Sequence, residues 1–345
     1  MTVAALTSAI SFGAAKTQAS TVKAETARLV FHVSPATSKG TLPEQVREAV
    51  KALRKANGGG RMVKLRAFVA GPGDLNQVAA IVSDAFPATT MPVVNVIRIG
   101  GLPDGAKVVM ELVSESKRVE NPNGLAFISG QLTTVAMEAN QTTTPVAPLA
   151  EKSVANIKAA LKGLQLEAGD VVRVTCFTSS LVDYAQVRKM VRGEFAGAAV
   201  NVVQIQRAPA TGEVECESVA RLRTKPVEAV RLVNPTNAAF AQAAVVGAPV
   251  VMFSTTLTST GNDDAGVRAG LAKLKGVIEA GGSAMDKVFY AHGYPTSPAT
   301  LQKFRDLRWE FFDRAHAPAS TNLLFEGVTG PEGGVGVDVI GLPGQ

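Results

Sequence analysis

Apolar residues recur at helical spacing in three long stretches of the chain: EQVREAVKALRKANGGG (44–60), EKSVANIKAALKGLQLEAG (151–169) and AGVRAGLAKLKGVIEAGG (265–282). That period predicts amphipathic helices, and glycine after each last turn predicts a C-cap. Three shorter helical stretches surround Phe86, Phe195 and Phe312, with Val78, Val187 and Phe304, then Leu75, Tyr184 and Leu301, on the same face. Each follows a turn, GPGD (71–74), SSLVD (179–183) or TSPAT (296–300), in which Asp74, Asp183 and Ser297 are suited to cap the helix. Upstream of each short helix is an alternating, β-branched strand: MVKLRAFVAG (62–71), VVRVTCFTSS (171–180) and DKVFYAHGYP (286–295). An apolar strand precedes each long helix: ARLVFHVS (27–34), LAFISGQL (125–132) and PVVMFSTTL (249–257). Two more follow each short helix: PVVNVIRIG and KVVMELVS, VNVVQIQR and EVECESVA, NLLFEGV and VGVDVIG.

The unit is therefore βαβαββ, about 110 residues long, and it occurs three times. The chain divides into a tail at 1–20 and units at 21–116, 117–224 and 225–345. Helices alternating with strands pack on one face of a sheet. Lys64, Arg66 and Phe68 alternate with Val63, Leu65 and Ala67, so neither face of that strand is wholly polar. The economical arrangement is an α+β protein in which three sheets pack together round a threefold pseudo-axis, sheets inside and helices outside.

FISGQL (127–132) resembles the SGQ strand of the RidA/YjgF family. AGDVVRVTCFTSSLVDYAQV (168–187) is similar to that family's middle strand and second helix, and EVECESVA (213–220) to its terminal E-x-E strand. The likeness covers all three units and is clearest in the second; order, spacing and recurrence carry it. It implies a chorismate-mutase-like fold, usually a homotrimer with ligand clefts between subunits. Three units in one chain imply that trimer fused into an intramolecular pseudo-trimer, monomeric or built into a higher oligomer. The resemblance also implies hydrolysis of reactive enamines and imines to 2-oxo acids and ammonia, a deaminase acting on a small metabolite with no cofactor and no metal. Some family members carry the name L-PSP endoribonuclease.

That chemistry needs an arginine to clamp the substrate carboxylate and a carboxylate to deprotonate water. The family's arginine follows a Pro-Ala pair. Here Pro318-Ala319 is followed by Ser320, Pro92-Val93 by Val94, and 199–203 holds no arginine. Arg98 and Arg207 lie nearby, displaced, and read as solvated strand-end charges. The family's glutamate matches Glu215, with Glu217 as the second acid on the same strand face. The corresponding pairs are Val109 and Glu111, and Gly336 and Asp338, so one unit of three keeps the carboxylate. Glu215 and Glu217 read equally well as a solvated strand face. Ser129, Gly130 and Gln131 match the cleft-lining SGQ segment, with Ser254, Thr255 and Thr256 in the third unit and His32 and Ser34 in the first. Ser320 completes the expected substrate contacts. Tyr290 and His292 alternate on one strand and are placed to face a cleft together, or to serve as structural residues. A non-catalytic metabolite- or partner-binding protein accounts for the missing arginine, and is the alternative to the enzyme.

Composition narrows the picture further. Net charge is +6, from 35 basic and 29 acidic residues. Lys51, Arg54 and Lys55, like Arg188, Lys189 and Arg192, are interleaved as on solvated helix faces, not clustered as a nucleic-acid footprint. A 5% aromatic content argues against a stacking platform for single strands. No apolar run of about 18 residues predicts a membrane-spanning helix. Two cysteines and three histidines make neither a disulfide scaffold nor a zinc or His-rich site; Cys176 and Cys216 read as buried thiols. NGGGRM (57–62) lacks the Lys-Ser/Thr of a phosphate loop and follows a helix instead of preceding one. PEGGVGVD (331–338) reads as a hairpin turn, and Trp309 and Phe311 as core or unit-to-unit contacts. The small-residue segment MTVAALTSAISFGAAKTQAS reads either as a truncated export signal or as the tail of a cytoplasmic protein.

Overall fold

The predicted helices begin where their capping residues stand. A computed structural model describes residues 19–138, 144–206, 211–233, 239–330 and 334–344. In chain order it forms β1 (Thr21–Glu25), β2 (Leu29–Val33), α1 (Leu42–Ala56), β3 (Arg61–Ala70), α2 (Leu75–Asp84), β4 (Val93–Ile99) and β5 (Val108–Glu115). There follow β6 (Leu125–Ala136), α3 (Ala147–Gly163), β7 (Val171–Thr178), α4 (Tyr184–Glu194), β8 (Ala199–Gln204) and β9 (Thr211–Arg221). A pair, β10 (Val230–Val233) and β11 (Ala243–Val246), leads to β12 (Val250–Ser254), β13 (Leu257–Thr258), α5 (Asp264–Ala280), β14 (Val288–Pro295), α6 (Pro298–Leu307), β15 (Ala319–Asn322), β16 (Gly327–Val328) and β17 (Val335–Gly341).

Thr41 and Glu44 form a capping box that starts α1, with Pro in its first turn. Asp74 accepts from the Asn76 amide to start α2, and Ser297 accepts from the Thr300 amide to start α6. Asp183 does not cap α4 with its side chain; its carboxylate accepts from the Val146 and Ala147 amides and so caps α3 instead. The α3 stretch stops at Gly163 rather than at Gly169, and Gln165 takes the left-handed turn at φ 59°.

Three mixed sheets share one strand order: β2-β5-β3-β4, β6-β9-β7-β8 and β12-β17-β14-β15. In each, the third strand of that order runs parallel to the fourth and antiparallel to the second. Each sheet is lengthened by strands from elsewhere in the chain. β1, grouped on sequence with the first unit, pairs with β12 of the third sheet. β10 and β11, grouped with the third unit, extend the second sheet beside β6. NLLFEGV is not the third strand expected of the third unit: β15 begins earlier, and β16 joins β4 of the first sheet.

Each sheet has a helical cover. Val46, Val50 and Leu53 of α1 and Val78 and Val82 of α2 close over Leu65, Ala67 and Met110. Ile157, Leu161, Val187 and Val191 do the same in the second unit, and Leu271, Leu274 and Phe304 in the third. Burying one such side chain stabilises the fold by about 1.5–3 kcal/mol. The opposite faces meet one another in two further apolar clusters. One joins Phe31, Phe127, Phe253 and Phe289; the other joins Phe68, Phe177, Tyr294 and Phe325. Cys176 and Cys216 are not free thiols. They stand directly opposite in the β7–β9 register with Cα atoms 4.1 Å apart, and they form a disulfide beneath α3 and α4.

Residues 1–18, 207–210 and 331–333, which include Arg207, most of the expected export signal and the start of the PEGG turn, lie outside the described residues. No described helix is long and apolar enough to cross a membrane. Among the described residues no cluster of His, Cys, Asp and Glu is arranged to hold a metal ion.

Candidate active site

The inward faces of the three sheets carry charge at matching places. Arg66 stands opposite Glu111, Thr175 opposite Glu217, and His292 opposite Asp338 in the strand register. All six are buried. Arg66 bridges two units, reaching Glu111 at 2.6 Å and Glu217 at 2.8 Å. Arg173 reaches Glu217 at 2.6 Å. His292 lies 3.2 Å from both Glu217 and Asp338. Lys64 pairs with Asp338, which also accepts from Asn95 and from the Tyr294 hydroxyl. Thr175 and Asn201 donate to Glu111, and the Tyr290 hydroxyl donates to Glu217 at 3.3 Å.

Burial alone would neutralise these acids, but the cations win. Against its burial, Glu217 is held well below the usual carboxylate range by His292, Arg66 and Arg173. Glu111 is lowered by Arg66 and Arg173, and Asp338 by Lys64 and His292, each again against burial. Glu217, expected beside Glu215 as a substrate contact, is therefore a member of this central ion cluster. Lys64, Arg66 and Arg173 are its positive members.

Glu215 lies two residues away on the same face of β9, and its surroundings are different. It lines a cleft of about 480 Å³ between the second sheet and the third unit. Gly130, Leu132 and Phe240 form part of its wall, and Ser320, Asn322, Arg305, Arg308 and Trp309 form the opposite side. Only 5% of Glu215 is exposed, and no described residue hydrogen-bonds to its carboxyl group. Burial, then the negative charges of Glu217 and Glu213, push its pKa well above the usual value, with Arg305 pulling the other way. A Cβ at Gly130 would overlap the Glu215 carboxylate, so glycine is what lets the acid sit against β6.

Arg308 is 8% exposed. Its Nη2 donates to the Ala239 carbonyl at 2.8 Å, and its guanidinium lies 4.2 Å from the Trp309 ring centre. Its Nε is buried and, like Asn322 Oδ1, has no hydrogen-bond partner among the described residues. Burial, with Arg305 and Arg314 nearby, lowers Arg308 to about 10, which leaves it charged at neutral pH. Neither Arg305 in α6 nor Arg308 in the turn after it stood out in the sequence, where nothing separates them from surface charges.

The other expected contacts are distributed unevenly. Ser320 and Gly130 line the Glu215 cleft. Ser129 holds its edge: its hydroxyl donates to the Ala241 carbonyl and accepts from the Ser320 amide. Gln131 donates to the Ser129 carbonyl. Ser254 and Thr255 are elsewhere, where the third sheet meets the first; Ser254 accepts from the Val339 amide and Thr255 donates to the Val94 carbonyl. There Gly336 holds no acid and is packed against Thr256 and Val328. Tyr290 and His292 do face inward together, into the ion cluster. Arg98 is not a free strand-end charge, since it donates to the Gly73 carbonyl at 2.8 Å.

The family model of the Endoribonuclease L-PSP family matches residues 115–222. Protein DfrA of Myxococcus xanthus is 32% identical over 98 residues, which is 28% of this chain and 75% of that protein. Among solved structures, the YjgF gene product of E. coli is 28% identical, covering 31% of this chain and 84% of its own, with a TM-score of 0.24. A chorismatase structure is 13% identical and covers 91% of this chain and 98% of its own, with a TM-score of 0.27.

Proposed function

Since the chain belongs to the Endoribonuclease L-PSP family, that of the YjgF and RidA proteins, we propose that it is three fused RidA-like units whose one acid-bearing cleft hydrolyses reactive imines or enamines to 2-oxo acids and ammonia. The observation that carries this reading is Glu215, a buried carboxyl group with no hydrogen-bond partner among the described residues, at the wall of a cleft large enough for a small metabolite. A carboxylate whose pKa is raised is a better proton acceptor than an ordinary one. In the ionised state Glu215 takes a proton from water as the oxygen adds to the imine carbon. It returns that proton to the nitrogen, giving a carbinolamine; the hydroxyl proton then passes through the carboxylate to the nitrogen as the C–N bond breaks, so that ammonia departs and the 2-oxo acid remains.

The substrate carboxylate is held from the helix side. Ser320 occupies the place of the family's strand arginine, and Arg305 and Arg308 face the same cleft from α6 and the turn after it. Arg308 stays charged at neutral pH and its guanidinium lines the cleft. The endoribonuclease reading is weaker, because Lys64, Arg66 and Arg173 are buried against carboxylates and present nothing to a phosphate backbone. The non-catalytic reading rests on Ser320 and on Val109 and Gly336, which stand where an acid would be at the corresponding places of the other two units.

The test is release of 2-oxo acid from a freshly generated 2-aminoacrylate-type substrate. Wild type should release it faster than buffer; equal rates would overturn the deaminase reading. Arg308→Gln should raise KM about tenfold or more with a smaller change in kcat, since a charge-assisted hydrogen bond is worth about 1.5–3 kcal/mol. Gly130→Ala should lower kcat by at least tenfold through displacement of the Glu215 carboxylate, measured beside an unchanged far-ultraviolet circular dichroism spectrum.

A further inference from the structure

A second cleft, of about 330 Å³, lies where the first sheet meets α4 and β8. Val33, Ser34 and Val109 line one side, and Tyr184, Arg188 and Arg192 line the other. Val109 precedes Glu111 in β5 as Glu215 precedes Glu217 in β9, so an apolar side chain stands here in the acid's place. The cations remain. Tyr184, Arg188 and Arg192 succeed one another at i, i+4 and i+8, which puts all three on one face of α4. The acids nearest them on that helix are engaged elsewhere: Glu194 with Lys158, and Asp183 with the first turn of α3. Neither arginine has an ion-pair partner among the described residues. Tyr184 is half-buried; burial raises its hydroxyl pKa, Asp104 adds to that, and the two arginines oppose it, so it stays a donor at neutral pH.

We propose that this cleft binds a small dianion, a phosphate ester or a dicarboxylate, and does not hydrolyse it. Arg188 and Arg192 are about 6 Å apart along the helix axis, a separation that suits two anionic oxygens of one phosphate or the two ends of a short dicarboxylate. Tyr184, in the same lining, supplies a third donor. The lining contains no carboxylate to repel the ligand and none to activate water.

The experiment is calorimetric titration at low ionic strength with inorganic phosphate, with succinate, and with acetate as the monoanion. Wild type should bind phosphate or succinate at least tenfold more tightly than acetate, and whichever of the two binds more tightly identifies the ligand source. The Arg188→Gln/Arg192→Gln double variant should bind at least tenfold more weakly and melt within a degree or two of wild type without ligand, because both side chains reach solvent. Glu215→Gln should bind like wild type, which separates this site from the acid-bearing cleft. Equal binding of acetate, no binding by wild type, or full binding by the double variant would overturn the proposal.

Discussion

Replacing Glu217 with alanine should destabilise the protein by about 3–5 kcal/mol, the cost of removing one partner from a buried ion cluster. Glu217 is fully buried and contacts Arg66, Arg173, His292 and Tyr290, drawn from all three units. Its loss leaves two guanidinium groups short of a partner where water cannot reach them. Glu217→Gln keeps acceptor capacity but removes the charge, so it should fall between alanine and wild type. The check is urea unfolding of the three proteins at neutral pH. The pH dependence has a definite sign. Glu217 has a folded pKa below its unfolded value of about 4.5, so its contribution is present above that value and is lost as pH falls. Glu111 and Asp338 shift in the same direction. Wild type should therefore lose stability steeply on acidification, and Glu217→Ala less steeply.

Substituting Glu215 with glutamine should have two opposed effects. Activity should fall by about 10²–10⁴, the usual contribution of a positioned acid–base group. Stability at neutral pH should rise. The folded pKa of Glu215 lies above its unfolded value, so the native state binds the proton more tightly, and stability declines as pH climbs from about 4.5 through the folded value. Glutamine is neutral throughout and escapes that decline. The difference in melting temperature between variant and wild type should be small at pH 4 and should open as pH rises. Over the same window the kcat of wild type should increase as Glu215 ionises, with an apparent pKa above the ordinary carboxylate range.

Much of this architecture is visible in the hydrophobic pattern. Periods of 3.6 and 2 place all six helices and the strands that lie beneath them, and the caps at Asp74 and Ser297 need only local information, whereas Asp183 turns to the first turn of α3. The matching of Glu111, Glu217 and Asp338 is also visible, because it is a recurrence along the chain. What these acids do is not. Lys64 and Arg66 sit at alternate strand positions and Arg173 in a similar alternation on β7, a pattern shared with any solvated face, and partners from other units show them to be internal. The strand exchanges by β1, β10, β11 and β16 depend on the packed assembly and leave no local trace. The Cys176–Cys216 disulfide follows from strand register rather than from spacing. Arg305 and Arg308 read as surface charges until the cleft is assembled around them. The helix-side cations answer the question raised by Ser320, since the charge missing from the strand is present across the cleft.

The most direct test of the account compares wild type with Glu215→Gln at neutral pH, measuring both 2-oxo acid release from a 2-aminoacrylate-type substrate and melting temperature. The account predicts that the variant loses the activity and melts at a higher temperature than wild type. A variant that keeps wild-type activity, or that loses it while melting lower, would contradict it.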